Sequence, residues 1–161
     1  DWSSDVCSSD LGLARTAAHI GSEPTYATWD AVVASAKRNN DGAIKGLSNA
    51  QWEAFARARF RETDRGIVAD YDPNLVQAFK ARAVIRTNSA DLWALYNALI
   101  PVPVLVLRGE NSTLLSVSGM ARMKDVKPDL EAVTVKNRGH VPFLDEPEAV
   151  SVIDAFLEKL A

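Results

Sequence analysis

The sequence of 161 residues has one cysteine, no long apolar run and little excess of charge of either sign. A single cysteine excludes an internal disulfide framework, which favours a reducing compartment and predicts a cytoplasmic location. No apolar stretch reaches the roughly 18 residues that a membrane-spanning helix needs, so we expect no membrane partner. The net charge of −3 offers no basic surface to nucleic acid. The remaining composition is that of an ordinary globular domain.

The first eleven residues, DWSSDVCSSDL, show neither helical nor strand periodicity. They also lack the basic and apolar regions of a signal peptide. This string resembles the translation of a common short-read sequencing adapter, which predicts that residues 1–11 are a non-native tail. The tail contains Cys7 and the three acids that account for the net charge, which are Asp1, Asp5 and Asp10. The native part would therefore have no thiol and no net charge.

Helical patterns occupy residues 12–100. Apolar residues recur there at helical spacing, as in the stripe that begins at Trp29. Four starts are marked by capping residues, at Thr28, Ser48, Asp72 and Ser89. The second of these is a capping box that ends at Gln51. The sequence therefore predicts helices alone in this region, with Pro101 closing the last one.

Strand and helix patterns alternate in residues 101–161. The run Val102–Leu107 is typical of a strand buried on both faces, and pairing should begin after Pro103, which has no N–H donor. A helix capped by Ser116, a strand over Leu130–Lys136 and a helix opened by Pro147 follow. A strand–helix–strand connection of this kind joins two parallel strands of one sheet. Because two strands are not a complete sheet, the pattern predicts a truncated α/β protein.

Polar loops follow both predicted strands. Arg108–Thr113 comes after the first strand, and Asn137–Glu148, which contains Gly139 and His140, comes after the second. Ligands and catalytic groups of open parallel sheets lie at the carboxyl ends of strands. A histidine in that place can act as a general base, because its ordinary pKa lies near neutrality. Gly139 is expected to let the backbone turn sharply beside it. The alternative interpretation is a structural loop histidine.

These two loops resemble those of the α/β-hydrolase superfamily. Members often carry the triad acid on a Gly-containing loop after a late strand and the triad histidine on a later Gly-His loop. Leu107–Ser112 stands in the first place, and Gly139–Pro142 with the helix start Asp145–Glu148 stands in the second. Two further segments, Gly12–Arg15 and Asp70–Pro73, are similar to those of a lactonase- and esterase-like branch.

The resemblance implies both a fold and an activity. The fold would be a truncated α/β-hydrolase, with a helical cap over 12–100 followed by the last two strand–helix units of a parallel sheet over 101–161. The activity would be hydrolysis of a small ester, lactone or related acyl substrate by a nucleophile–His–acid triad. No cofactor and no metal would be needed, and His140 would be the general base.

The chain departs from the superfamily pattern in two ways. It has no Gly-x-Ser-x-Gly, so the nucleophile would lie upstream and the chain itself would be inactive. Ser112 and Thr113 stand where relatives carry the acidic residue, and neither can hold a negative charge against an imidazolium. Glu110 could be the substitute acid, a carboxylate from another strand could serve, or catalysis could be weak. Alternatively, Glu110 is a solvated loop charge.

Two other functions fit the same residues. An aspartate nucleophile upstream would make the protein a dehalogenase or an epoxide hydrolase of the same fold. A degenerate triad without a compensating acid would make it a non-catalytic binding protein. The residues of this chain do not choose between these functions and the esterase or lactonase.

Overall fold

The structure, a computed structural model, describes residues 24–72, 74, 75, 77 and 92–161. These residues divide into two compact units, one containing the described part up to residue 77 and the other containing 92–161. Residues 92–100, assigned to the helical region from the sequence, thus belong to the unit that contains the parallel strands. The predictions for residues 1–11, Gly12–Arg15 and the Ser89 cap lie outside the described residues.

Two helices of the first unit begin where capping residues predict. Helix α1 (Trp29–Asn39) is capped by Thr28, whose Oγ1 accepts the Ala31 N–H at 3.3 Å. Helix α2 (Asn49–Arg57) begins with the predicted capping box: Ser48 Oγ accepts the Gln51 N–H at 3.2 Å, and Gln51 Oε1 accepts the Ser48 N–H at 2.9 Å. Each bond satisfies an N–H that the first helical turn leaves without a partner.

A β-hairpin follows α2, so the prediction of helices alone was wrong here. Strands β1 (Phe60–Thr63) and β2 (Gly66–Ala69) pair antiparallel through a two-residue turn. The strands are four residues long, which leaves two side chains on each face and too little alternation to stand out between helical segments. Gly66 has a φ of +116°, and a Cβ there would lie 2.7 Å from the Tyr26 carbonyl oxygen.

The hairpin and the two helices bury a common apolar core. Val32 of α1, Ala56 of α2 and Ile67 of β2 are its buried members. Tyr26 adds a bridge to β2, because its N–H donates to the Ile67 carbonyl at 2.9 Å and its carbonyl accepts the Ile67 N–H at 2.8 Å. One face of the antiparallel pair is therefore packed against α1 and α2.

The second unit contains a strand–helix–strand–helix pattern, as predicted. A short helix precedes it, and the five elements are α3 (Leu92–Asn97), β3 (Leu105–Gly109), α4 (Val117–Val126), β4 (Glu131–Val135) and α5 (Pro147–Glu158). Strands β3 and β4 are parallel, with Leu105 opposite Glu131 and Gly109 opposite Val135. Pairing begins after Pro103, and α5 packs against both strands. Over the described ranges, no helix has the length and apolarity to cross a membrane.

A buried lysine joins the segment before β3 to the turn before β4. Lys127, between α4 and β4, is 1% exposed, and its Nζ donates to the Ile100 carbonyl at 2.8 Å and to Asp129 Oδ2 at 2.9 Å. The hydrogen bond from Lys127 holds the pKa of the Asp129 carboxyl below its ordinary value. The chain segment before β3 is thereby fastened to the turn before β4.

The capping box of α2 provides a test of the first unit. We expect Ser48→Ala to lower the free energy of unfolding by about 1 kcal/mol, because the Gln51 N–H loses its acceptor. Ser151→Ala, at an exposed position in the middle of α5, should change it by less than about 0.5 kcal/mol. Urea unfolding followed by circular dichroism measures both. Equal effects of the two substitutions would contradict the capping role.

Candidate active site

Two loops leave the carboxyl ends of β3 and β4 and lie against each other. The Glu110 N–H donates to the Val135 carbonyl at 2.8 Å, which continues the strand pairing by one step. The Asn111 N–H then donates to the Arg138 carbonyl at 2.8 Å. The loop that contains Glu110 and the loop that contains His140 are therefore joined backbone to backbone, at the edge of the sheet where parallel folds place their sites.

Gly109 permits this approach. A Cβ on this residue would lie 2.0 Å from the Gly139 carbonyl oxygen and 2.6 Å from the Arg138 carbonyl oxygen. Both neighbours are backbone atoms, which cannot swing away as a flexible side chain could. The glycine of the first loop is therefore required by the position of the second loop.

A buried arginine and a serine shape the loop after β3. Arg108 is 6% exposed, and its Nε donates to the Leu115 carbonyl at 2.7 Å while its Nη2 donates to the Glu110 carbonyl at 3.2 Å. Ser112 Oγ accepts the N–H groups of Leu114 and Leu115 at 3.3 and 3.1 Å. Ser112 thus has a structural role in the turn, and Thr113 beside it is exposed.

The Glu110 carboxylate is held by the neighbouring loop. Its Oε2 accepts the Asn137 N–H at 2.9 Å, directly after β4. Within the described residues, no hydrogen bond joins Glu110 to His140. Glu110 is therefore exposed but not simply solvated, because it fastens the start of the His140 loop. Its service as the substitute acid stays a prediction.

The His140 imidazole lies on the exposed part of its loop. Partial burial lowers the pKa of His140 below its ordinary value, because the charged form loses hydration there. Hydrogen bonds from the imidazole to a carboxylate are absent from the ranges that the structure covers. A neutral imidazole at pH 7 is the form that can accept a proton from a nucleophile.

The backbone turns of this loop are not made by Gly139, contrary to expectation. Asn137 and Leu144 have φ values of 58° and 69°, in the left-handed region, whereas Gly139 does not lie there. Asparagine tolerates that conformation better than most residues because its short polar side chain can bond locally. Gly139 is instead buried against Gly109.

Sequence reasoning missed the ion pair that closes the loop. Arg138 Nε donates to Glu146 Oε1 at 2.5 Å, and the two side chains are 13% and 5% exposed. The same carboxylate accepts the N–H of Phe143 at 3.1 Å and that of Leu144 at 2.9 Å. A glutamate directly before Pro147 was the available signal, because glutamate is an unusual N-cap residue and Glu146 makes no side-chain capping bond to α5.

Hydrogen bonding decides the ionisation of Glu146. Burial by itself favours the neutral acid. The hydrogen bonds from the Phe143 N–H and from Arg138, together with the arginine charge, outweigh burial and hold the pKa of Glu146 below its ordinary value. The carboxylate is therefore charged at neutral pH and can accept all three donors.

In the part of the chain that the structure describes, no three His, Cys, Asp or Glu side chains are grouped to hold a metal ion. The site therefore presents an imidazole on a loop. Backbone hydrogen bonds and one buried ion pair hold that loop in place.

The contact at Gly109 provides a test of the site. We expect Gly109→Ala to lower the free energy of unfolding by about 2–3 kcal/mol, because the new methyl group collides with the Gly139 carbonyl. Gly46→Ala is the control: it strains a left-handed glycine, with φ +75°, but the new atom has open space around it. It should cost only about 1 kcal/mol. Urea unfolding compares the two variants, and an equal cost would contradict the close approach.

The His140 pKa provides a second test. We expect an NMR titration midpoint below about 6.5, measured in a His19→Gln background so that a single imidazole is observed. Between the folded and unfolded pKa values the unfolded chain binds more protons. His140 therefore makes the free energy of unfolding rise with pH in that interval. A midpoint at or above the ordinary value would contradict the partial burial.

Comparison with known proteins finds similarity to hydrolases. No family profile matches the chain. The 3-hydroxybutyrate-oligomer hydrolase of Cupriavidus necator is 33% identical over 88 residues, which cover 53% of this chain and 30% of that protein. An α/β hydrolase from Novosphingobium aromaticivorans has 34% identity and a TM-score of 0.82, covering 92% of this chain and 52% of that one.

A more distant structure agrees in fold. The E-2-(acetamidomethylene)succinate hydrolase has 22% identity and a TM-score of 0.68, covering 92% of this chain and 53% of that one. The chain thus spans about half the length of these solved structures. The likeness inferred from the two loops is confirmed: the chain has the fold of the α/β-hydrolase superfamily.

Proposed function

We propose that the whole protein hydrolyses a small ester, lactone or related acyl substrate through a nucleophile–His–acid triad, without a cofactor. The observation that carries the proposal is His140 itself, on a loop locked against the end of the neighbouring strand in an α/β-hydrolase fold. The Cupriavidus necator relative, whose name specifies 3-hydroxybutyrate oligomers, supports a substrate of this size and kind.

His140 is the proposed general base. Its lowered pKa favours the neutral imidazole, which takes the proton of the nucleophile as the acyl bond is attacked. The same nitrogen then returns that proton to the leaving group, and in the second half of the reaction it activates water. No Gly-x-Ser-x-Gly occurs in the 161 residues. We therefore place the nucleophile and the oxyanion donors upstream, and we propose that these residues alone are inactive.

The acid of the triad has two candidate sources. Glu110 lies on the correct loop, but one of its oxygens accepts the Asn137 N–H, so serving His140 would require its second oxygen or a change of partner. A carboxylate from another strand is the other source. Ser112 is engaged with two backbone N–H groups and cannot supply the charge.

A non-catalytic binding protein is the second candidate function. The observation in its favour is the pair Ser112 and Thr113 at the usual place of the acid. Removing the acid of a serine-protease triad lowers turnover by about 10⁴-fold. A small acyl compound would be the ligand in this case as well. For either function we propose a cytoplasmic protein, because the sequence offers no pair of cysteines for an internal disulfide.

Hydrolysis by the complete protein tests the proposal. We expect His140→Gln to lower kcat/KM for p-nitrophenyl butyrate by about 10⁴-fold or more, because the nucleophile loses its base. Lys136→Gln, at an exposed position directly after β4, is the control and should leave the rate unchanged.

Two outcomes would contradict the proposal. A complete protein that binds a lactone but shows no turnover dependent on His140 would favour the binding protein. Turnover dependent on His140 by the 161 residues alone would show that they contain their own nucleophile.

A further inference from the structure

Glu146 occupies the N-cap position of α5, but its side chain accepts hydrogen bonds from the loop that precedes the helix and not from the helix itself. Its carboxylate is buried and accepts three donors, which are Arg138 Nε and the N–H groups of Phe143 and Leu144. One donor lies before His140 in the chain and two lie after it. The carboxylate therefore closes a ring of chain that contains the imidazole.

We propose that Glu146 is the positioning residue of His140, because its carboxylate closes the 138–146 loop and fixes where the imidazole is held. The value of that position to catalysis rests on the proposed function. The closure of the loop by Glu146 does not rest on the proposed function, because the hydrogen bonds that close it lie within the 161-residue chain.

The closure connects the loop to the sheet. The Arg138 carbonyl accepts the Asn111 N–H and lies beside Gly109, so the backbone of this residue is anchored to the end of β3. Its guanidinium, which also lies over the Phe143 ring at 4.9 Å, reaches Glu146. Glu146 thus links the far side of the loop to the sheet through one buried ion pair.

The left-handed backbone of Leu144 points to the same role. A leucine with a φ of 69° is unfavourable, because its Cβ crowds the following carbonyl. Its side chain is 49% exposed, so burial of the leucine does not account for the conformation. The conformation allows the Leu144 N–H to reach Glu146 Oε2 at 2.9 Å.

A carboxylate is specifically required at this position. Ionised Glu146 presents acceptors alone to three donors, whereas a glutamine side chain has one acceptor oxygen and an NH₂ group. In Glu146→Gln at least one donor of the loop would face another donor. The substitution keeps the size of the side chain but removes its charge, which pairs with Arg138, and one of its two acceptor oxygens.

The experiment compares Glu146→Gln with Glu148→Gln in the 161-residue chain, in a His19→Gln background. Glu148 is two residues away and exposed, so it is the matched control. In Glu146→Gln we expect amide exchange at Phe143 and Leu144 to accelerate at least tenfold. The loop opens to water, so the His140 titration midpoint should rise towards its ordinary value and modification of His140 by diethyl pyrocarbonate should accelerate several-fold. Glu148→Gln should change none of these.

Two results would overturn the proposal. One is a Glu146→Gln chain that loses thermal stability while the His140 midpoint and modification rate stay unchanged, which would make Glu146 merely structural. The other is an equal response to Glu148→Gln. Should Glu146→Gln not fold, Arg138→Lys keeps the charge and both backbone hydrogen bonds of Glu146. It should shift the His140 midpoint in the same direction, and an unchanged midpoint in folded Arg138→Lys would also overturn the proposal.

The readouts separate this proposal from the proposed function. None of them requires turnover, so a shifted His140 midpoint in Glu146→Gln supports loop closure even if the complete protein hydrolyses nothing. Conversely, a complete protein whose activity depends on His140 but whose imidazole is indifferent to Glu146 rejects the positioning role and keeps the hydrolase.

Discussion

The close approach of two backbones at the ends of β3 and β4 is the constraint on which the site depends. A side chain at Gly109 would occupy the place of the Gly139 carbonyl, so the two loops can meet only because that residue has none. Once they meet, the N–H groups of Glu110 and Asn111 find acceptors on β4 and on the loop beyond it. The start of the loop that contains His140 is therefore held to the end of β3 by main-chain contacts.

Both glutamates near His140 act on the backbone of its loop. Glu110 accepts the N–H of Asn137 at the start of the loop, and Glu146 accepts those of Phe143 and Leu144 near its end. A triad acid needs a lone pair directed at the imidazole. In the described residues both of these carboxylates accept main-chain N–H groups, and no hydrogen bond joins either of them to the imidazole.

In the first unit, local sequence patterns predicted the helices but not the hairpin. Helices α1 and α2 were predicted with their caps, because a capping bond joins residues three apart and depends on little else. The hairpin of β1 and β2 was missed, because its strands are short and its stability comes from Tyr26 and from the core around Ile67. Those contacts join residues that are distant in the chain, so the periodicity of a short segment cannot predict them.

The sequence by itself determined the starts of α1, α2, α4 and α5, the parallel order of β3 and β4, and the presence of His140 just beyond the end of β4. Each of these depends on neighbours within a turn or on the alternation of strand and helix. Only the tertiary structure decided that Asn137 and not Gly139 makes the turn, that Glu110 holds Asn137, and that Glu146 closes the loop. The physical reason is that a buried charge or a crowded backbone selects its partners by distance in space, and the packing of α5 and the two strands sets those distances.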